Sequence, residues 1–562
     1  MTAYTSSDFD INKLGSFYEK DKTIFRVFAP NSSQVYLVIN EKEYKMHQVD
    51  KCFEIALGGN LQGIRYYYKN DLNISYTDPF SYLSNGKYSY VIDKQYFNYD
   101  VVKPDEINDI LIYETSVRDF TSNKSYTGKY HKTFLGLTED NLLLEGKEIG
   151  LNYLKKLGIS HLQLLPIFAF DLDKSDYNWG YNPIAYNYVH KDYVYDDNKL
   201  YAYINEFRNV VNALHKHNIR VTLDVVFNHV YEKSTFNIDK MLGGTFFRKL
   251  EDGTYAKGTL CGNEVKSEDP FVRAYIAHMC KRYIELFDID GLRFDLMGIL
   301  DYETINLVKE ECTKLKNDFI VYGEGWDMGD ALSKDKRASI INADKLPGVM
   351  MFNDFYRDTI INYVSGNDSI RQDVKDAIAN SSYLNSEQSI NFVECHDNLT
   401  FYDRVSKYID NATEQDKAKR CKLALAIVML SRGIPFIHSG QEFLRTKKLV
   451  ENSYNAGDDI NSLDWNLRVK NDDCVNYFID LVNIRKQYKE SIKNAKEAVF
   501  EDYYDCILYK LDDLFVIVNP CQWDYLYQDE NEYEVIFDTN GKNSYISKVL
   551  SIPAYSILIC KR

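Results

Sequence analysis

The stretch RVTLDVVFNH (residues 220–229) joins a short β-branched apolar run to a polar ending. Such a run predicts a strand buried on both faces, which is typical of parallel sheets. Seven similar runs, separated by longer helical patterns, lie elsewhere between residues 110 and 438. The eight predicted strands are 110–114, 161–166, 220–227, 291–295, 319–324, 349–352, 389–393 and 435–438. Eight strands that alternate with helices indicate a TIM (β/α)8 barrel.

The sequence on either side of the predicted barrel has shorter apolar or alternating runs, broken by Asn, Gly and Pro. The runs at 23–30 and 514–518 are typical of strands in small all-β domains. We therefore predict a multidomain α/β protein with a central TIM barrel over residues 106–495. An N-terminal β-sandwich is predicted over 1–105, and a C-terminal antiparallel β-sandwich domain over 496–562.

Composition narrows the possible partners. The chain of 562 residues has 67 Lys and Arg against 83 Asp and Glu, a formal net charge of −16, which argues against nucleic-acid and anionic-membrane partners. A hydrophobic share of 45% with only 27 Gly and 10 Pro excludes collagen-like and disordered classes. Aromatic residues reach 14%, mostly as 47 Tyr and 30 Phe. Tyrosine suits sugar rings, although compositional bias also explains this excess.

The sequence also predicts a compartment. No basic region followed by an apolar run opens the chain, and no stretch of about 18 apolar residues occurs, so neither an export signal nor a membrane helix is expected. The ten cysteines are scattered without a CxxC pair, which favours reduced thiols over zinc or iron–sulfur ligands. We therefore expect a cytoplasmic protein.

Polar residues at the carboxyl ends of barrel strands are candidates for catalysis, because the packed interior of a barrel cannot hold them. Acidic and basic candidates follow four of the predicted strands: Asp295, Glu324, Asp397, Arg293, His229 and His396. Crowded carboxylates separate in pKa, so that one stays ionised while another stays protonated. Cleavage of a glycosidic bond requires that division, and Arg293 next to Asp295 would keep the nucleophile ionised.

Other interpretations of these residues are open. A single Asp at a strand end is often a helix cap or a loop ligand. His229 and His396, with nearby acids, could bind a metal ion, but no HxH or HExxH spacing supports this. Polar clusters at four strand ends together favour a catalytic site.

Several motifs resemble a known enzyme family. DVVFNH (224–229), GLRFD (291–295), GEGW (323–326) and VECHDN (393–398) resemble the four conserved regions of glycoside hydrolase family 13, the α-amylase superfamily. YNWGYNP (177–183) is close to the YNWGYDP of bacterial type I pullulanases, with Asn182 in place of Asp. FRVFAP (25–30) resembles the start of a family 48 carbohydrate-binding module.

This resemblance implies a retaining hydrolase that debranches α-glucans at α-1,6 linkages, acting on pullulan, limit dextrins and branched maltooligosaccharides. Asp295 would be the nucleophile, Glu324 the general acid/base and Asp397 the stabiliser of the transition state. The implied substrate contacts are Tyr181, Trp179, Asp224, His229, Arg293, Trp326, His396, Asn398 and Tyr454. No cofactor is expected, although Asn228 matches a position that binds calcium in some amylases. The expected partner is an α-glucan, and the expected state is a monomer.

Related functions stay open at this point. One is isoamylase-like or glycogen debranching, another is neopullulanase-like α-1,4 hydrolysis, and a third is non-catalytic glucan binding on the same fold. The catalytic acids are common to both linkage types, so the preference for α-1,6 bonds depends on the family resemblance. The N-terminal domain has no Trp and would have to bind glucan through Tyr or Phe; we expect it to be mainly structural.

Overall fold

The computed structural model describes residues 4–98, 100–107, 109–380, 384–494, 498–512 and 514–561. A closed barrel of eight parallel strands lies at its centre, and the last strand pairs with the first. The strands are β1 Ile112–Thr115, β2 His161–Leu164, β3 Arg220–Val225, β4 Gly291–Phe294, β5 Ile320–Gly323, β6 Met350–Phe352, β7 Ser389–Asn391 and β8 Ile434–His438. Each overlaps its predicted run, so the predicted TIM barrel is confirmed.

Large apolar side chains form a core among the barrel strands. This cluster contains Ile112, Tyr322, Met350, Phe352, Ile390, Phe392, Ile434 and Phe436. Full burial of one such side chain contributes about 1.5–3 kcal/mol, so the β-branched and aromatic runs stabilise the barrel directly. The charged residues that follow the strands lie at its carboxyl end, where sites form in this fold.

Helices surround the barrel, and capping residues determine where they begin. The helix Pro270–Phe287 begins after Asp269, whose carboxylate accepts from the N–H of Phe271 at 3.0 Å. Pro270 fits the first turn, because an N–H at that position would have no helical partner. The α-helices are Val117–Ser122, Gly150–Leu157, Ala202–His215, Asn237–Leu242, Pro270–Phe287, Tyr302–Thr313, Asp354–Val364, Arg371–Ala379, Phe401–Tyr408, Glu414–Leu430, Asp458–Asn461, Trp465–Lys470, Asp472–Gln487 and Lys489–Asn494.

The described residues of the N-terminal domain form two antiparallel sheets, as the predicted sandwich requires. Phe28 of this domain stacks on Phe271 of the barrel at 4.7 Å, and Arg282 donates to the carbonyl of Phe80 at 2.7 Å. The strands are Gly15–Glu19, Lys22–Phe28, Val35–Ile39, Lys42–Lys45, His47–Val49, Cys52–Gly58, Arg65–Asn70, Ser75–Tyr76 and Ser89–Tyr90. The domain is therefore anchored to the barrel by both apolar and polar contacts.

Within the described residues, the six strands of the C-terminal domain form a single antiparallel sheet, whereas the predicted sandwich would have two sheets. β-Bulges bend the long hairpin, and its Tyr527 and Leu550 pack with Phe515 as a second layer would. The strands are Val499–Tyr503, Cys506–Leu511, Leu514–Asn519, Tyr525–Asp538, Gly541–Ile552 and Ser556–Lys561. The predicted boundary between residues 495 and 496 lies outside the described residues, and the boundary between 105 and 106 stays a prediction.

Two further observations concern the whole chain. Within the described ranges, no helix is long and apolar enough to cross a membrane. All ten cysteines are described, and none is paired in a disulfide.

Candidate active site

Arg293, in β4, connects three acids at the carboxyl end of the barrel. Its side chain is only 2% exposed, and its Nη1 donates to both oxygens of Asp224 at 2.9 and 2.8 Å. Nη1 also donates to Oδ1 of Asp295 at 3.3 Å, while Nη2 donates to Glu324. Because one guanidinium contacts both Asp295 and Glu324, these carboxyl groups are held close together.

Glu324 follows β5 and is buried. Burial raises the pKa of its carboxyl group to about 8, against the opposing effect of Arg293. The negative charges of Asp295 and Asp397 contribute to this raised pKa. The backbone N–H of Leu296 donates to Oε2 of Glu324 at 2.9 Å and fixes its orientation. A carboxylic acid that is still protonated at neutral pH is suited to act as a general acid.

Asn228 holds Asp295 from the side of β3. Its Nδ2 donates to Oδ2 of Asp295 at 2.7 Å and to the Asp295 carbonyl at 2.6 Å. Its Oδ1 lies 2.5 Å from Nδ1 of His229, whose Nε2 lies 2.9 Å from the carbonyl oxygen of Tyr181. Both ring nitrogens of His229 therefore contact protein oxygens, so His229 holds Asn228 and the backbone of Tyr181 in position.

His396 and Asp397 follow β7. The His396 ring stacks on Tyr181, with centroids 5.0 Å apart and planes 14° apart, and lies edge-on to Trp179 at 5.1 Å. Its Nε2 is 3.7 Å from Oδ2 of Asp397, whose side chain is 43% exposed. Asp397 is thus an open carboxylate beside an aromatic group, an arrangement that suits a sugar ring.

Three predicted substrate contacts remain, which are Tyr454, Trp326 and Asn398. Tyr454 packs with Trp179 at the rim, and its carbonyl accepts from the Trp179 N–H at 3.1 Å. Trp326 is half-buried, with its indole facing Asp354. Asn398 is exposed and adopts a positive φ of 62°. Neither Trp326 nor Asn398 bonds to another predicted site residue in the described part of the chain.

Asn228, the calcium candidate, has a side chain that is bonded within the site. Its amide oxygen and nitrogen are both used by neighbouring side chains, as described above. No group of three or more His, Cys, Asp or Glu residues with the geometry of a metal site occurs among the residues the structure describes. The residues described at this position do not fit a calcium site.

Known proteins are similar to this chain in sequence and in overall fold. Residues 143–242 and 262–478 match the family described as "Alpha amylase, catalytic domain". A pullulanase of Bacillus subtilis (strain 168) is 33% identical, over 94% of this chain and 81% of the relative. The chain belongs to the pullulanase group of the α-amylase family.

Solved pullulanases superpose on nearly the whole chain. A pullulanase of Anoxybacillus sp. LM18-11 complexed with maltotetraose has a TM-score of 0.94 at 31% identity, over 99% of this chain and 88% of the other. The type I pullulanase of B. subtilis complexed with maltose has a TM-score of 0.92 at 30% identity, over 99% and 86%. The pullulanase-group fold thus extends over both flanking domains.

In this pullulanase-group chain, Glu114 is a site residue that the sequence interpretation missed. It lies in β1, is 1% exposed and accepts from the backbone N–H of His396 at 2.8 Å. Its Oε1 contacts Nδ1 of His396 at 2.8 Å and accepts from Gln163 at 2.9 Å. Burial alone would lower the pKa of His396, but the charges of Glu114 and Asp397 raise it to about 9. Glu114 therefore positions His396 and keeps it positively charged.

Replacing Glu114 by Gln tests this positioning role. Gln has the size of Glu but no negative charge, so the pKa of His396 should fall and His396 should lose its positive charge at a lower pH. We expect kcat/KM to fall about tenfold, the effect of losing one charge-assisted hydrogen bond. The alkaline limb of the pH profile should also move to lower pH, because the pKa of His396 is expected to fall from about 9 to below that of Glu324, about 8; a purely structural defect would not cause this shift. The measurement is the pH dependence of kcat/KM.

Glu442→Gln is the matched control. Glu442 is also buried in the barrel, but its carboxylate accepts from Tyr113 and Tyr153. Among the described residues its carboxylate has no hydrogen bond to a predicted catalytic residue, so its replacement should affect stability and leave the pH profile unchanged. If both variants shift the profile equally, Glu114 has no special role.

Proposed function

We propose that this chain is a debranching hydrolase that cleaves α-1,6-glucosidic bonds in pullulan, limit dextrins and branched maltooligosaccharides with retention of configuration. The observation that carries the proposal is the pair Asp295 and Glu324, bridged by the buried Arg293. The pullulanase relative at 33% identity, which shares most of this chain, supports the choice of linkage.

The mechanism uses two carboxyl groups in turn. Asp295 attacks the anomeric carbon while Glu324 gives its proton to the leaving glycosidic oxygen, forming a β-glycosyl ester on Asp295. Glu324, now ionised, takes a proton from water, and the water oxygen displaces Asp295 to give an α-configured product. The negative charge of Asp397 stabilises the oxocarbenium-like transition state of each of the two steps.

Hydrolysis of pullulan tests the linkage directly. We expect maltotriose as the product, because cleavage at α-1,6 bonds releases the α-1,4-linked trisaccharide. Panose as the product would instead show α-1,4 cleavage and would refute the proposal. Comparison with glycogen separates a pullulanase preference from an isoamylase-like one. The measurement is chromatography of the products with determination of their linkages.

We further propose that catalysis needs no calcium and no other cofactor. The side chain of Asn228 is already bonded to Asp295 and His229, and no group of three or more His, Cys, Asp or Glu residues with the geometry of a metal site occurs among the described residues. Prolonged treatment with EGTA should therefore leave kcat within about twofold and the melting temperature unchanged, since no ligand-linked stability is removed. Loss of activity that returns on adding calcium would show that a site exists.

We propose the cytoplasm as the working compartment and a monomer as the working state. The ten unpaired cysteines, most of them buried, support a reducing compartment. The partner is the α-glucan substrate itself. The contacts between the N-terminal domain and the barrel, including the Phe28–Phe271 stack, support a structural role for that domain.

A further inference from the structure

A cleft of about 370 Å³ lies between the N-terminal domain and the barrel. This size falls in the range of small-molecule sites, about 300–1,000 Å³. Three tyrosines from different parts of the chain line it: Tyr90 of the N-terminal domain, Tyr188 of the loop after β2, and Tyr203 of the helix Ala202–His215. None of the predicted catalytic or substrate-binding residues lines this cleft.

The loop after β2 connects the cleft to the active site. Its residues 167–190 fold back on themselves, and the N–H of Ala169 donates to the carbonyl of Tyr188 at 3.0 Å. The far end of this folded loop carries Trp179 and Tyr181, which pack around His396 in the site. Its base contributes Tyr188 to the cleft. The loop after β2 therefore lines both the cleft and the active site.

The groups around the cleft suit a neutral, hydroxyl-rich ligand with apolar ring faces. The side chains of Tyr203, Lys191 and Asp197 line the cleft and have no hydrogen bond or ion pair within the described residues. Lys191 and Asp197 carry opposite charges, so the lining favours neither an anion nor a cation. Ile184, 39% exposed, adds an apolar surface. Sugar rings of an α-glucan present both the hydroxyl groups and the apolar faces that match this lining.

We propose that this cleft is a second glucan site, which binds a linear α-1,4-linked segment of the substrate outside the reacting position. The identity of the ligand rests on the proposed function, whereas the existence of the site rests on the cleft. Occupation would place a long glucan against the base of the loop whose far end reaches the catalytic acids. Long substrates would therefore bind more tightly than short ones, without a change in the chemical step.

Calorimetric titration with maltohexaose tests the site in the full-length Asp295→Asn variant. We expect two binding events, of which one is lost or weakened about tenfold when Tyr203→Ala is added, since an aromatic contact has that effect. Lys191→Ala, at an exposed position, should weaken the same event, and Tyr203→Phe should retain it. Tyr195→Ala is the control, because Tyr195 is 52% exposed and does not line the cleft.

Kinetics with otherwise native protein gives a second readout. Tyr203→Ala should raise KM for pullulan several-fold at unchanged kcat and leave KM for a short branched oligosaccharide unaltered. A single binding event that is insensitive to both Tyr203→Ala and Lys191→Ala would overturn the proposal. Two events with no α-1,6 hydrolysis by the unmodified chain would refute the proposed function and support the second site. Release of maltotriose from pullulan together with a single binding event would support the proposed function and refute the second site.

Discussion

Asp295→Asn is expected to abolish turnover of pullulan while maltotriose binding is retained. The amide keeps the shape of the carboxylate and can still pack beside Arg293 and Asn228, but it cannot form a glycosyl ester with the anomeric carbon. Loss of a covalent nucleophile lowers kcat in other hydrolases by as much as roughly 10⁶-fold, and we expect at least about 10⁴-fold here. The measurements are kcat on pullulan and the Kd for maltotriose.

Asp290→Asn is the matched control for this variant. Asp290 lies just before β4, at the opposite end of the strand from Asp295, and accepts from His215 at 2.7 Å and Lys316 at 2.7 Å. Its replacement should destabilise the fold by about 1–3 kcal/mol, through a buried hydrogen-bond partner, with kcat nearly unchanged. Hydrolysis by Asp295→Asn at an undiminished rate would refute the assignment of the nucleophile.

The sequence predicted the barrel well because its strands are buried on both faces. The run 220–225 is buried at every position and carries Val221, Leu223 and Val225, so local composition marks it as a strand. The form of the C-terminal sheet could not be predicted in the same way. Whether the hairpin of Tyr525–Asp538 and Gly541–Ile552 bends over its own sheet depends on bulges and on packing against Phe515. These are contacts between distant residues.

The active site, too, was predicted where a local motif marks a residue and missed where the evidence is a contact between residues far apart in the sequence. Motifs named Asp295 and Glu324 as candidates, and the structure brings both to Arg293. Glu114 was missed because it lies inside a run that predicts an ordinary strand and its partner His396 is 282 residues away. A signal was present, since a charged residue within a buried strand must find a partner to offset the cost of burial. The sequence alone does not tell which partner it finds.

Glu324→Gln should separate the two steps of the reaction. The amide cannot protonate the leaving oxygen, so kcat on pullulan should fall by roughly 10²–10⁴-fold, the usual contribution of a general acid. A substrate whose leaving group needs no proton, such as α-maltotriosyl fluoride, should still form the glycosyl ester on Asp295. Hydrolysis of that ester would be slow without the general base, and added azide should rescue it and give an α-linked azide. A β-linked product would contradict retention.

The role of Glu324 as the general acid also predicts how kcat/KM depends on pH. Because burial holds the pKa of Glu324 near 8, the residue is protonated and active as an acid below that pH and loses its proton above it. The kcat/KM of the unmodified chain on pullulan should therefore fall as the pH rises through about 8. In Glu324→Gln, the rate of glycosyl-ester formation from the fluoride should lack that alkaline limb, since an amide does not titrate. A limb that persists at the same pH in the variant would assign it to another group, and Glu324 would then not be the acid.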